Sequence, residues 1–390
     1  MKNLTIVFIF VLLSCNEKIS TICTIDIEQG FYKAQEILIS DFAEHLEYVV
    51  LESKKPIDRN LKVYSSGDYL ICMAYRQIYL FDRHTGKFIK EIGTYGNGPG
   101  EYNNSFYFDS ETQQVIASRM EGYLGYDLNG KPIRTMIKPK HEDEGGTLST
   151  MTLLDKNMMV YYYSNSRGYA KDRLLIVDEY GEVSRTFSHF ESFVPQVRVS
   201  QVIPPVFYHY GKNTMFLEFC VDTIYQITKD ALFPQYHISM GKYKPPYEKQ
   251  CEMFLPPNPL MYQYFWFRNF GETDRLLFFD FTHKKANSTD SSPSSFFGYY
   301  DKKIKTVKIA DVDKNRRRIK NNIDYFVDIQ FSSWTINHEK NEMVSYIDAI
   351  DVVNWFQQNH QKVKKLPSHF KKLSTLKEDD DPIVVIAKLK

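Results

Sequence analysis

Along most of the chain, short apolar or alternating runs are separated by clusters of Gly, Asp, Ser and Asn, a pattern of strands joined by tight turns. The clearest stretch is 61–92. Leu61-Lys62-Val63, Tyr69 to Cys72, Gln77 to Phe81 and Lys87 to Ile92 predict four strands, with turns at Ser66-Gly67-Asp68 and at Asp82 to Gly86. Four short antiparallel strands of this kind make one propeller blade. The phrase recurs: Phe81-Asp82 with Gly86 is followed by Tyr126-Asp127 with Gly130 and Val177-Asp178 with Gly181, the Asp residues lying 45 and 51 residues apart. Blade repeats of about 40–50 residues have this period. A degenerate fourth copy lies at Asp222 to Ile227 and a fifth at Phe297 to Lys303, continuing to Ile309. The sixth is expected over Ile323 to Ile347, from Phe326 to Phe331, Ser333 to Asn337 and Glu342 to Ile347. Early strands near Glu36 to Ile39 and Leu46 to Leu51 are left to complete it. Closure of this kind removes an exposed sheet edge. The expectation is an all-β, six-bladed β-propeller with a short C-terminal helical segment; five and seven blades are the alternatives.

Three regions break the pattern. Prolines 245, 246, 256, 257 and 259 make 241–262 an irregular loop, because proline cannot donate to a ladder. Residues 284–295 are polar and read as a flexible turn. Ala349, Val352, Val353 and Phe356 recur at helical spacing and predict a helix over roughly 348–360, packed by that face. After Asp379-Asp380-Asp381-Pro382 the run Ile383 to Ile386 reads as a final strand.

At the N-terminus, Lys2 precedes an apolar run from Ile6 to Leu13, too short to span a bilayer but suited to a signal-peptide core. It ends in Leu12-Leu13-Ser14-Cys15, which resembles the lipobox of bacterial lipoproteins and implies lipidation of Cys15. The expected organisation is a signal peptide over 1–14, a lipidated tether over 15–30 and the propeller over 31–390. The protein is then exported and held in the cell envelope by acyl chains, on the periplasmic or the surface side of the outer membrane. Cys23 is expected in the tether. Cys72, Cys220 and Cys251 show no C-x-x-C spacing and read as small buried hydrophobes.

Composition adds two constraints. With 49 Lys+Arg against 48 Asp+Glu the formal net charge is +1, falling to zero when residues 1–14 leave with Lys2, so nucleic acid is not an expected partner. Aromatic residues make up 15%, with 28 Tyr, 28 Phe and 3 Trp, and strand packing explains most of that excess first.

These residues resemble the exported six-bladed, NHL-repeat-like β-propellers found as lipoproteins in Bacteroidetes. The resemblance rests on Phe81-Asp82 through Ile89, then Ile92-Gly93-Thr94-Tyr95-Gly96-Asn97-Gly98-Pro99-Gly100-Glu101-Tyr102. It rests also on Asp222 to Tyr225 with Pro234, Tyr236 and Gly241-Lys242, and on the ending Asp381 to Val385. Asp381 stands where the family often has Asn, and 284–295 is a local elaboration. The resemblance implies the fold over the whole mature chain and no agreed enzymatic activity.

Candidate chemistry is sparse. The loop Gly93 to Glu101 lacks the Lys-Ser/Thr and the following helix of a phosphate cradle, and Pro99 removes a donor. Its glycines are expected to take left-handed backbone in a blade-to-blade crossover, with Glu101 accepting backbone N–H groups. If the loop edges the central funnel, then Gly96, Gly98, Gly100, Glu101 and Tyr102 instead touch a ligand. The ten histidines show no metal-ligand spacing. The acidic runs His141 to Glu144 and Glu378 to Asp381 could bind Ca²⁺ but read first as solvated loops. No nucleophile elbow occurs, and no catalytic residue, cofactor or metal site is assigned. Arg316-Arg317-Arg318 reads as a solvated basic turn. The expected function is a monomeric, non-catalytic binding scaffold for a protein or glycan partner. The alternatives are a Ca²⁺-dependent hydrolase or lyase of the six-bladed type, and a glycan-binding lipoprotein.

Overall fold

A computed structural model describes residues 22–390 apart from 56, 58–60, 104–105, 166, 190, 196–201, 254, 256–259, 285–292, 311–317 and 365. The signal segment, Cys15, Arg316, Arg317, the three later prolines of 241–262 and most of the polar turn 284–295 lie outside the described residues.

Two strands precede the ring of blades in sequence, β1 (Cys23–Asp26) and β2 (Ala43–Val50), with the short helix α1 (Ile27–Tyr32) between them. Blade 1 is β3 (Lys62–Ser66), β4 (Tyr69–Met73), β5 (Ile78–Asp82) and β6 (Phe88–Glu91). Blade 2 is β7 (Phe106–Asp109), β8 (Gln114–Arg119), β9 (Gly122–Tyr126) and β10 (Pro132–Ile137). Blade 3 is β11 (Thr147–Leu153), β12 (Met158–Ser164), β13 (Asp172–Asp178) and β14 (Val183–Ser188). Blade 4 is β15 (Val206–Tyr210), β16 (Asn213–Leu217), β17 (Thr223–Ile227) and β18 (Leu232–Ser239), with β1 added in parallel outside β18. Blade 5 is β19 (Trp266–Glu272), β20 (Leu276–His283), β21 (Ser294–Asp301) and β22 (Thr306–Ile309). Blade 6 is β23 (Ile336–Asn337), β24 (Glu342–Ile347) and β25 (Ile383–Leu389), with β2 as its outermost strand. The protein is a six-bladed β-propeller, and pairing of β2 with β25 from Ala43↔Leu389 to Val50↔Ile383 closes the ring.

The recurring Asp has a local cause. Asp82 Oδ1 accepts from the Thr85 amide at 2.7 Å and the His84 amide at 3.0 Å. Asp127 and Asp178 receive the same kind of bond from Lys131 and from Tyr180 and Glu182. Each thereby caps the turn between a blade's third and fourth strands. Gly86 follows with φ +72°, and a Cβ there would lie 1.8 Å from the Val50 carbonyl, so only glycine lets blade 1 approach the closing strand.

Middle strands are packed on both faces against neighbouring blades, so their alternation is lost: Leu174 to Val177 in β13 are all fully buried, as are Met159 to Tyr163 in β12. Outer strands such as β14 keep a largely exposed pattern. The aromatic excess lies mainly in these interblade layers, for instance Phe267, Phe270, Phe279 and Phe281 between blades 4 and 5.

Three expectations are corrected. The tether does not reach residue 30: β1 and α1 are folded, because Ile25 and Ile27 are buried and the Phe31 ring packs edge-on against Phe265 and Phe296 at 5.0 and 5.3 Å. The segment near Glu36 to Ile39 is not a blade strand; it makes single bridges, Gln35↔Ala310 and Leu38↔Lys320, and a 3₁₀ turn. Phe326 to Phe331 is not a strand either. Its alternate burial arises because Phe326 inserts among Trp355, Phe356 and Phe370 under the C-terminal helix α2 (Ala349–Gln358). That helix lies where the spacing predicts one, with Ala349 and Val352 buried.

The two faces of the ring differ. One carries tight turns such as 67–68, 211–212 and 273–275. The other carries the connections from one blade to the next and those between second and third strands, including the described parts of 240–265 and 310–335, and 348–382 with α2. In propellers, and in scaffolded folds generally, loops of this kind carry binding.

Candidate functional site

The glycine loop singled out by the sequence is a braced crossover from blade 1 to blade 2. Gly93 and Gly100 have φ +66° and +74°. The Gly98 amide donates to Glu101 Oε2 at 2.7 Å, and a Cβ on Gly96 would sit 2.1 Å from the same oxygen. The Tyr126 hydroxyl donates to the Gly100 carbonyl at 2.7 Å, and that of Tyr102 to the Arg76 carbonyl at 3.1 Å. Tyr102 is 1% exposed, so it faces the core and not a ligand. Glu101 turns inward as a cap, as the simpler reading expects. Gly96 and Asn97 border an open depression of about 480 Å³ beside Arg119 and Lys138.

The built cavity lies elsewhere on the loop-rich face. A cleft of about 560 Å³ opens at the junction of blades 5 and 6, between the inner strand β19, the loop before β23 and the end of β24. A second groove of about 850 Å³ runs between 318–328 and α2. The two adjoin at Arg318, Asp328 and Asp351, which line both, and together make an elongated cleft from the inner strands towards the rim, with the Arg318–Asp351 pair at their junction.

Its inner end holds two indoles. Arg268 stacks over Trp266 with its guanidinium carbon 4.0 Å from the ring centroid. Trp334 meets Tyr64 of blade 1 edge-on at 5.4 Å, and Lys62 Nζ lies 5.4 Å above the indole. Asp280 fixes the loop that carries Trp334: it accepts from the Ser333 amide at 2.7 Å and from the hydroxyls of Ser333 and Ser332 at 2.5 and 3.2 Å. At the middle, Arg318 pairs with Asp351 of α2.

The outer end is shaped by a braced loop. Asn321 is buried and its backbone amide donates to Asp328 Oδ1 at 2.9 Å; its side chain donates to Asp324 Oδ1 at 2.6 Å and to the Tyr48 hydroxyl at 3.1 Å. Tyr48 in turn donates to Asp324 Oδ2 at 2.9 Å, and burial holds its phenol well above the ordinary range. The result is Tyr325 at φ +61°, 66% exposed at the groove. Facing it from α2 are Asn354, Trp355 and Gln358, the indole of Trp355 packed on Phe326 at 4.8 Å.

All three tryptophans of the chain therefore line this one cleft. Sequence reasoning missed it because its residues come from blade 5, blade 6 and a C-terminal helix. The available signal was that Trp266, Trp334 and Trp355 all fall in the last third of the sequence. Among the described residues, no group of three His, Cys, Asp or Glu side chains is placed to hold a metal ion. Nor, among them, is any helix long and apolar enough to cross a membrane.

The described part of the chain has a relative in a crystal structure of a Bacteroides fragilis protein described as exported. The two share 17% identity and a TM-score of 0.64, over 95% of this chain and 100% of that one, which supports the fold. The WD40 domain of Neurospora crassa Pan2 is far more distant, with 10% identity and a TM-score of 0.37 over 70% and 73% of the two chains. No curated protein matches this chain. A family model for a domain of unknown function, DUF4934, matches residues 22–388.

Proposed function

Because the chain belongs to the DUF4934 family, a domain of unknown function, we propose its role from the site itself: an exported, lipid-anchored binding module of the cell envelope. It holds its ligand in the cleft between blades 5 and 6. The observation that carries this reading is that the large cleft opens on the face that carries the blade-to-blade connections, while tight turns such as 67–68 and 273–275 lie on the other. Its size is that of a ligand site, and its lining sets aromatic side chains beside many polar groups. Export is supported by the Lys2 to Leu13 leader and by the exported relative from B. fragilis, and anchoring by the lipobox-like Leu12 to Cys15. A non-catalytic role accords with a cleft whose carboxylates are engaged locally, Asp280 by serines and Asp351 by Arg318.

The test is a thermal-shift screen with variants on both faces. Compounds that raise the midpoint of the wild type are expected to lose that effect in Asp328→Arg, at the cleft, and to keep it in Glu339→Ala, on the tight-turn face. Binding that follows Glu339 instead refutes the placement. Incorporation of labelled palmitate, present in the wild type and absent in Cys15→Ala, checks the anchor.

A further inference from the structure

Resting on the binding reading above, we propose that the elongated cleft takes an uncharged oligosaccharide chain, with sugar rings seated along the aromatic stations at Trp334, Trp266, Trp355 and Tyr325.

Four observations converge. First, the tryptophans are not scattered through the core. All three line one cleft, two at its inner end and one at its outer end. Indoles offer broad apolar faces with a polar edge, the surface that the C–H face of a pyranose covers while its hydroxyls remain free for hydrogen bonds.

Second, the cleft carries little net charge. Its acids are Glu36, Asp280, Asp328, Asp348 and Asp351; its bases are Arg268, Arg318, Lys320 and Lys362. Arg318 is paired with Asp351, and Lys320 Nζ lies 3.3 Å from Glu36. Charged ligands are selected by a complementary field, and pairs that cancel locally supply none. What remains favours a ligand recognised by hydroxyl and amide hydrogen bonding.

Third, α2 supplies that bonding. Asn354 and Gln358, four residues apart, lie on the same side of the helix as Trp355 and line the groove. Each amide is both donor and acceptor, matching hydroxyls that are both as well.

Fourth, Tyr325 is held in left-handed backbone, a costly conformation for a bulky residue, by the Asn321–Asp324–Tyr48 network. The loop around it keeps that strain while leaving the ring 66% exposed. A tyrosine needed only for packing would be buried; one held out over a groove opposite Asn354 and Gln358 is placed for a ligand.

Because all three tryptophans sit in the cleft, intrinsic fluorescence reports occupancy directly. The full-length chain is titrated with malto-, cello-, xylo- and chito-oligosaccharides, with polygalacturonate as an acidic chain, and with a set of unstructured peptides. At least one neutral oligosaccharide is expected to shift the emission, with its Kd rising about tenfold or more in Tyr325→Ala and in Trp334→Ala. Tyr325→Ala is expected to leave the thermal midpoint unchanged, since the side chain is exposed and its removal relieves no buried contact. A double variant of Asn354→Ala with Gln358→Ala is the second check if Trp334→Ala is poorly folded. Silence across the neutral set overturns the proposal. So does binding of polygalacturonate or a peptide that depends on Tyr325; in that case the cleft remains the binding site and only the ligand class is wrong. Neutral-sugar binding indifferent to all cleft variants overturns both the proposal and the placement on which it rests.

Discussion

Arg83 ties blade 1 to blade 6 across the closure of the ring. It reaches from blade 1 to Glu342 of blade 6 with two hydrogen bonds of 2.8 Å, and both groups are almost fully buried. Removing one partner of such a pair leaves a buried charge uncompensated, which costs about 3–5 kcal/mol. Arg83→Ala is therefore expected to lower the unfolding free energy by about that amount in urea titration, whereas replacement of the exposed Lys55 of the Lys55–Glu91 pair is expected to change it by less than about 1 kcal/mol. A second buried cluster joins blades 3 and 4: Tyr162 donates to Glu218 at 3.1 Å, and Arg173 and His189 each approach it to 3.5 Å. Burial, opposed by Arg173, pushes the Glu218 carboxyl up from 4.5 to about 7, and burial pushes His189 down from 6.5 to about 4. The two act in opposite directions. The raised carboxyl favours the folded state most below pH 4.5, and that contribution is lost as pH rises towards 7. The depressed imidazole costs stability as pH falls from 6.5 towards 4. Glu218→Gln removes the first effect, so the variant is expected to gain about 3 kcal/mol relative to wild type between about pH 4 and pH 8. Parallel pH curves for the two proteins would refute the shift.

At the scale of elements, α2 and the blades with a clear Asp–Gly turn are legible in the sequence because their signals are local. A helix of spacing 3–4 or a side chain capping its own turn needs no distant partner. The failures have the converse cause. Phe326 to Phe331 has the alternation of a strand, but it makes only the bridge Ile319↔Ile329 and is buried as a loop, with Phe326 between Tyr48 of β2 and Trp355, Phe356 and Phe370. Likewise 22–30 reads as part of a tether until β18 offers a free edge and Phe265 a surface for Phe31. This segment is integral to the fold. Ile27, with 0% exposure, is expected to cost about 2–5 kcal/mol on truncation to alanine, measured by chemical denaturation. A true tether would show no change.

For the whole molecule, closure depends on a strand from the N-terminus pairing with the last strand of the chain. Deleting 22–51 is expected to expose the edge of β25 and to produce oligomers in light scattering, because an unpaired strand recruits another chain. The same ring geometry explains the division between what could be read from sequence and what could not. Turn chemistry, blade period and apolar content act within one repeat, so the linear chain already specified a closed six-bladed ring, the C-terminal helix and the structural role of the Gly93–Glu101 loop. The cleft belongs to no repeat. Trp266, Trp334 and Tyr325 become neighbours of Trp355 and Arg318 only when blades 5 and 6 meet and α2 folds over their junction. Which side chains line a surface between repeats depends on the rotation of one blade against the next, and that is decided by tertiary packing alone.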